Sequence, residues 1–228
     1  MNRDSTPEYR LRVAYAKQGR GAYLSHLEVI RALERMVRRA GLPYSSTQGF
    51  SPHMRISFGP ALGVGVASQC EHFDVILLAY VDANDALRRL QAAAPEVLPV
   101  RECAYVSPHE PSLSAAVTIF TYQVILEGEP VRTTEVASTI ELEQKGKTKS
   151  FDTLETLPEG ITVVTGDSAC VVTFTIRATP RGTLRPDSLI AYLTRDNPGQ
   201  IDAIRSMVYT RTATYIEDEE GNWRAPIV

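Results

Sequence analysis

The spacing of apolar residues predicts the first elements of the chain. In residues 9–16 polar and apolar residues alternate, which is the pattern of a strand with one buried face. That face comprises Leu11, Val13 and Tyr15. From Ser25 the spacing becomes that of an amphipathic helix, and Ser25 with Glu28 forms an S-x-x-E capping box at its start. The predicted buried stripe of the helix comprises Leu27, Ile30, Leu33, Val37 and Ala40.

Three further strands and a second helix follow in the first half of the chain. The strands are predicted at 54–58, 71–81 and 98–106, and the helix at 82–94. The order β-α-β-β-α-β is the signature of a ferredoxin-like unit. We therefore expect a four-stranded antiparallel sheet with both helices on one face.

The second half of the chain has a weaker pattern. Strands are predicted at 117–127, 170–178 and 206–216, a helix at 185–193, a weaker helix at 131–139 and a hairpin about Gly146. A second, degraded ferredoxin-like unit fits this order, so the predicted class is α+β. The predicted domains are 1–107 and 116–228, joined by a linker at 108–115. The acidic segment 217–220 is expected to fray.

Composition excludes several classes of protein. The chain has 228 residues, 43% hydrophobic and 22% charged, without an apolar run long enough to cross a membrane. Its polar N-terminus lacks the features of a signal peptide, so we expect a cytoplasmic protein. Cys70, Cys103 and Cys170 form no CxxC motif. We therefore expect buried thiols, no metal site and no cofactor.

The charge is unevenly distributed and points to an anionic partner. Residues 1–60 hold ten Lys and Arg against four Asp and Glu, giving +6, while the remainder holds 14 against 23, giving −9. Helical spacing places four arginines on one face: Arg31, Arg35, Arg38 and Arg39. Arginine suits bidentate phosphate contacts. The same spacing also fits a solvated helix face partly neutralised by Glu28 and Glu34.

The polar segment after this helix extends the candidate anion site. It comprises Gln48, Gly49, Phe50, Ser51, Pro52 and His53, with Arg55 close behind. Backbone amides near Gly49 can approach an anion. Phe50 offers a stacking face to a base, although a buried aromatic side chain in the core is the commoner role.

Histidines supply the weak catalytic candidates. His26, in the first helical turn, and His53 are candidate general bases, with capping or packing as the alternative roles. Strand alternation places His72 and Asp74 on one face, where a surface ion pair is the expected arrangement. No histidine spacing marks a metal site.

A second basic patch is predicted in the second half of the chain. Lys145, Lys147 and Lys149 share a face if their segment is a strand, beside Arg181 and Arg185. A solvated hairpin explains the same pattern. The glycine-rich run 59–65 lacks the motifs of nucleotide-binding loops.

These motifs together resemble a bacterial protein family. The resemblance rests on Ser25-His26-Leu27-Glu28, Glu34-Arg35, Arg38-Arg39-Ala40, Leu42-Pro43, the 48–53 segment and Leu184-Arg185-Pro186. They are similar to the radical-SAM-linked proteins, a family of uncharacterised function whose domain occurs alone or fused behind a radical-SAM enzyme. The resemblance implies a radical-SAM enzyme as partner and supplies no reaction.

The leading hypothesis is an accessory protein of a radical-SAM enzyme that binds RNA or another anionic substrate through the arginine helix and the adjoining loop. One alternative is an RNA-processing enzyme with a histidine general base. Another is a protein–protein adaptor whose arginine helix docks onto an acidic partner. The sequence does not decide whether the protein is an enzyme.

Overall fold

The protein is a mixed α+β structure built on one large sheet. The computed structural model describes residues 8–127, 136–144, 147–166, 169–195 and 209–227. Over these ranges nine strands form one mostly antiparallel sheet, and two more strands form a separate hairpin. None of the helices within the same ranges has the length and apolar character needed to cross a bilayer.

Residues 9–106 hold the predicted strands and helices in the predicted order. The elements are β1 (Tyr9–Lys17), α1 (His26–Arg39), β2 (Ile56–Phe58), β3 (Val66–Leu77), α2 (Ala83–Ala93) and β4 (Val100–Val106). Strand β1 lies between β3 and β4, and β2 pairs with the other edge of β3. All three pairings are antiparallel, and the side chains of both helices share one hydrophobic core with the sheet.

Helix α1 begins as predicted but is rotated about its axis. The Ser25 hydroxyl accepts from the Glu28 amide, and the Ser25 amide donates to the Glu28 carboxylate over 2.8 Å. The buried residues are Val29, Leu33, Met36 and Val37. The prediction that Leu27 belongs to this stripe is wrong, since Leu27 is 54% exposed. At 3.6 residues per turn Leu27 lies on the opposite side from Val29 and Met36.

The second half adds the remaining strands and three short helices. The elements are α3 (Leu113–Ala116), β5 (Val117–Glu127), β6 (Thr139–Gln144), β7 (Lys147–Asp152), α4 (Thr153–Thr156), β8 (Ile161–Thr165), β9 (Ala169–Arg177), α5 (Pro186–Leu193), β10 (Tyr209–Glu217) and β11 (Trp223–Arg224). The strand order is β10-β5-β9-β8, with antiparallel neighbours.

Three predictions for this half have different outcomes. The hairpin is confirmed, because β6 and β7 pair antiparallel. The weak helix at 131–139 falls mostly outside the described residues, and its last residue, Thr139, begins β6. The prediction that the acidic segment 217–220 frays is wrong. The Glu217 carboxylate accepts two hydrogen bonds from Arg177 and one from Trp223, and β11 pairs with β10 just beyond this segment.

A short parallel pairing joins the two halves of the sheet. Residues 209–211 of β10 pair with residues 66–68 of β3, on the edge that β2 leaves free. Each half has its own hydrophobic core, one containing Phe73 and the other Phe174. The sheet is therefore continuous while the cores are separate, and the division into domains remains a prediction.

The predicted solvent face of β1 is buried around one carboxylate. Asp74 of β3 accepts hydrogen bonds from Arg10, at 2.6 Å, and from Arg12, at 2.8 Å. Arg12 also donates to the carbonyl of Pro226, and Arg10 to the carbonyls of Glu110 and Pro111. The first half of the large sheet, the predicted linker and the C-terminal segment thus meet at these two arginines.

We expect Asp74→Ala to lower the free energy of unfolding by about 3–5 kcal/mol, because it leaves two buried guanidinium groups without a counter-charge. Urea unfolding followed by circular dichroism measures this effect. Asp85→Ala is the control, since Asp85 pairs with Arg88 and Arg89 on the exposed face of α2, and its loss should lower the free energy of unfolding far less than the loss of Asp74. Equal losses in the two variants would contradict the structural role of Asp74.

Candidate functional site

The four predicted arginines all lie on the exposed face of α1. They are Arg31, Arg35, Arg38 and Arg39. Glu34 contacts Arg38 at 3.6 Å, while Glu28 is held by the capping box. Within the described part of the chain, no carboxylate forms an ion pair with the other three arginines. The face is therefore cationic and only partly compensated.

The segment after α1 is a narrow hairpin with an exposed tip. Its base is held by main-chain hydrogen bonds, from the Thr47 amide to the His53 carbonyl and from the Arg55 amide to the Ser45 carbonyl, each 2.8 Å long. The exposed tip comprises Gln48, Gly49, Phe50, Ser51 and Pro52. The hairpin thus presents the predicted loop residues to solvent.

Phe50 is the aromatic residue of the tip. Its side chain is fully exposed, so the prediction of a core role for Phe50 is wrong. The hairpin carries the tip away from the core in which Met54, at its base, is buried. The Phe50 ring is therefore accessible to a partner.

The two histidine candidates have little support as general bases. His26 is exposed and packs edge-on against Phe58, with ring centroids 5.9 Å apart. His53 is exposed, and its backbone amide donates to the Thr47 hydroxyl over 3.0 Å. Among the described residues neither imidazole is hydrogen-bonded to a carboxylate that would orient it, as a general base requires.

Other predicted basic residues are paired or only partly described. Arg55 forms an ion pair with Glu8, and Arg185 donates two hydrogen bonds to Asp187, at 2.6 and 3.0 Å. The ammonium group of Lys149 lies close to the turn at Gly182: a Cβ atom on residue 182 would be 3.6 Å from the Lys149 Nζ.

The predicted lysine patch lies partly outside the described residues. Lys145 and the side chain of Lys147 lie outside the described residues. Lys147 and Lys149 both belong to β7, two residues apart, as the hairpin prediction required. The second basic patch therefore remains a prediction.

A cleft that the sequence reasoning missed opens where the two halves of the sheet meet. Its volume is about 1140 Å³, and it lies between the glycine-rich segment 60–66 and the start of α5. Tyr209 and Arg211 of β10 line its inner surface. These segments are distant in the chain, so no local motif marks the site. The nearest sequence signals were the unexplained glycine-rich run and the Leu184-Arg185-Pro186 motif.

A buried ion pair closes the inner end of the cleft. Arg211 donates to the Glu71 carboxylate over 2.9 Å and to the Tyr122 hydroxyl over 3.0 and 3.2 Å. It also donates to the carbonyl of Pro60, at 3.4 Å, and its guanidinium lies 4.8 Å from the ring centre of Phe120. Arg211 of β10 therefore links its own strand to β3, to β5 and to the glycine-rich segment 60–66.

Several titratable groups lie buried around this pair. Burial raises the pKa of the Tyr15 phenol and lowers the pKa of Lys17, whose ammonium donates to the carbonyl of Ala22 over 3.1 Å. Burial also raises the pKa of the Cys70 thiol to about 11, so the thiol stays protonated at neutral pH. The Tyr15 phenol and the Cys70 thiol are therefore neutral neighbours of the Arg211–Glu71 pair.

The cysteines are free thiols. Cys170 is buried, and burial raises the pKa of Cys103, like that of Cys70, to about 11. No group of three or more His, Cys, Asp or Glu side chains in the described ranges is arranged to hold a metal ion.

His72 is buried, and the prediction of a surface pair with Asp74 is wrong. His72 is 8% exposed, and the Asp74 carboxylate is taken by Arg10 and Arg12. Burial, with a smaller contribution from the charge of Arg12, lowers the pKa of His72 to about 4. His72 therefore stays neutral in the folded protein at neutral pH.

We expect acid to destabilise the protein through His72. Between pH 6.5 and about 4 the unfolded chain holds a proton on this imidazole and the folded protein does not. The free energy of unfolding should therefore fall by about 1.4 kcal/mol for each unit by which the pH is lowered within this window. Urea unfolding of wild type and of His72→Gln across the window isolates the effect. Parallel pH dependences in the two proteins would show that His72 does not contribute.

Comparison with known proteins identifies the family. A search of the curated proteins found no match. Among solved structures, the chain matches an unknown protein from Galdieria sulphuraria at 10% identity and a TM-score of 0.28, over 89% of this chain and 96% of that one. The family model of DUF2344, described as an uncharacterised protein conserved in bacteria, matches residues 10–186. The chain therefore belongs to the DUF2344 family of bacterial proteins.

Proposed function

We propose that the protein is an accessory protein of a radical-SAM enzyme that binds RNA, or another anionic substrate, through the exposed face of α1 and the tip at 48–52. The observation that carries the proposal is the set of four exposed arginines on α1, of which Arg38 alone is paired with a carboxylate within the described residues. Guanidinium groups bind phosphate oxygens in a bidentate manner.

The distribution of compensated charge favours α1 as the binding element. The buried arginines Arg10, Arg12 and Arg211 are all matched by carboxylates, and so are the half-buried Arg55 and the exposed Arg185. On α1, by contrast, Arg31, Arg35 and Arg39 have no carboxylate partner within the described residues, and Arg38 is paired with Glu34. A polyanion that contacts this face therefore meets several arginines on one helix, where little existing pairing has to be broken.

Phe50 favours nucleic acid among polyanions. Its ring is fully exposed at the tip of the hairpin that follows α1. Proteins that bind single-stranded nucleic acid usually combine exposed aromatic rings with basic side chains, because bases stack on the rings while the cations contact the backbone. A protein partner would more often bury several apolar side chains.

We also propose that the fold is a tandem of two ferredoxin-like units. The strand order is β4-β1-β3-β2 in the first half and β10-β5-β9-β8 in the second. If the separate β6–β7 hairpin and the short β11 are left out, each half has the order 4-1-3-2, which supports the proposal. Tandem ferredoxin-like folds also occur in RNA-processing endonucleases, but this analogy concerns the fold and assigns no activity.

The partnership with a radical-SAM enzyme rests on the resemblance of residues 23–60 to the radical-SAM-linked proteins. Pull-down from a native bacterial lysate, with proteins and RNA identified, tests it. Recovery of a radical-SAM enzyme is expected. Recovery of other proteins alone would favour the adaptor alternative.

We expect Arg35→Ala/Arg38→Ala to weaken binding of a labelled single-stranded RNA and to flatten its salt dependence. Each lost phosphate contact removes about 0.7 from the slope of log affinity against log salt, so the double variant should lose about 1.4. Fluorescence anisotropy at several salt concentrations measures both quantities.

The matched control is Arg88→Ala/Arg89→Ala, which removes two exposed arginines from α2, both paired with Asp85. Affinity and slope in the control should stay near wild type. If both double variants bind alike, the α1 face is not the RNA site. Shortened RNA on a gel would instead support the enzyme alternative.

We expect Phe50→Ala to weaken RNA binding by about tenfold with little change in the salt slope, because base stacking contributes roughly 1–3 kcal/mol and releases no counterions. Leu154→Ala is the control, since Leu154 is 85% exposed on α4. Equal affinities for Phe50→Ala and wild type would remove stacking from the proposal, whatever the arginine variants do.

A further inference from the structure

The cleft between the two halves of the sheet is large enough for a small molecule. Its volume of about 1140 Å³ is that of a generous ligand pocket. Apolar side chains from both sides line it, among them Leu62 and Val64 on one wall and Leu184 and Ala191 on the other. The cleft is distinct from the α1 face and has no part in the proposed RNA binding.

One buried polar group in the cleft has no partner among the described residues. Tyr209 is 5% exposed, and its hydroxyl forms no hydrogen bond with any residue that the structure describes. Burial raises the pKa of Tyr209 to about 12, so the hydroxyl remains protonated and can donate. A buried, unpaired hydroxyl costs roughly 1–3 kcal/mol, and such groups in folded proteins call for an explanation.

The charged groups of the cleft already have partners. Arg211 is bound to Glu71 and Tyr122, and Arg185 at the rim is bound to Asp187. The guanidinium of Arg195 lies 4.2 Å from the ring centre of Tyr192. A strongly charged ligand would have to displace one of these contacts, so the cleft favours a molecule with little net charge.

We infer that this cleft binds a small, largely apolar, uncharged molecule whose oxygen or nitrogen acceptor meets the Tyr209 hydroxyl. The apolar walls bury the body of the ligand, and the hydroxyl fixes its orientation. Tyr209 and Arg211 are alternate residues of β10 and so face the same side of the sheet, with the Arg211 pair as the inner end of the site.

Nile red is a suitable probe, because it is uncharged, apolar and carries a carbonyl acceptor. We expect saturable binding of one dye per protein, seen as a blue shift and gain in its fluorescence. Ala191→Trp, which fills the cleft, should weaken binding at least tenfold. Ala92→Trp makes the same change on the exposed surface of α2 and should bind like wild type. Val64→Trp fills the cleft from the opposite wall if Ala191→Trp fails to fold.

Tyr209→Phe tests the anchoring hydroxyl. It should weaken dye binding by about fivefold, the value of one hydrogen bond, without lowering the melting temperature, since the hydroxyl is bonded to no residue that the structure describes. Tyr105→Phe is its control: that hydroxyl donates to the Val81 carbonyl over 2.8 Å, so the melting temperature should fall while dye binding persists.

Three results would overturn the inference. The first is absence of saturable dye binding by wild type. The second is equal binding by the cleft-filling variants and Ala92→Trp. The third is wild-type affinity in Tyr209→Phe, which would mean that the hydroxyl does not meet the ligand.

Discussion

The ion pair between Arg211 and Glu71 holds the two halves of the molecule in register. Arg211 comes from β10 and Glu71 from β3, and both are less than a tenth exposed. The parallel pairing next to them spans only residues 66–68 and 209–211, so its few main-chain hydrogen bonds need support. Removing one partner of a buried pair typically lowers the free energy of unfolding by about 3–5 kcal/mol. The few main-chain hydrogen bonds of this short pairing are not expected to offset such a loss.

This pair also shapes the cleft. The guanidinium that binds Glu71 reaches the Pro60 carbonyl as well, and it packs on the Phe120 ring. The glycine-rich wall is further tied to the first half by a hydrogen bond from the Gly65 amide to the Ala22 carbonyl, at 2.9 Å. Gly65 has a φ of 86°, a conformation that glycine adopts without strain. One arginine therefore sets the depth of the cleft and the position of one wall.

Local patterns in the sequence predicted the elements better than their surroundings. The strands and helices of residues 9–106 followed from alternation, helical spacing and the Ser25–Glu28 capping box, all of which depend on neighbouring residues. Burial did not follow, because it depends on distant segments. Arg12 and Asp74 read as surface positions of strands, yet they are buried beneath the linker and the Pro226 segment. Leu27 is the reverse case, an apolar residue whose exposure the helical spacing did not reveal, and for Phe50 the sequence left an exposed and a buried role open.

The candidate sites divide in the same way. The α1 arginines lie within nine residues of one another, so helical spacing was enough to place them on one face. The cleft combines the 60–66 segment, α5 and β10. Its anchoring residue, Tyr209, lies in the strand predicted at 206–216, where no local pattern marks it as a ligand contact. The walls of the cleft stand on strands that are paired with each other, β3 and β10, so the walls cannot separate as rigid halves without breaking both the parallel pairing and the Arg211–Glu71 pair.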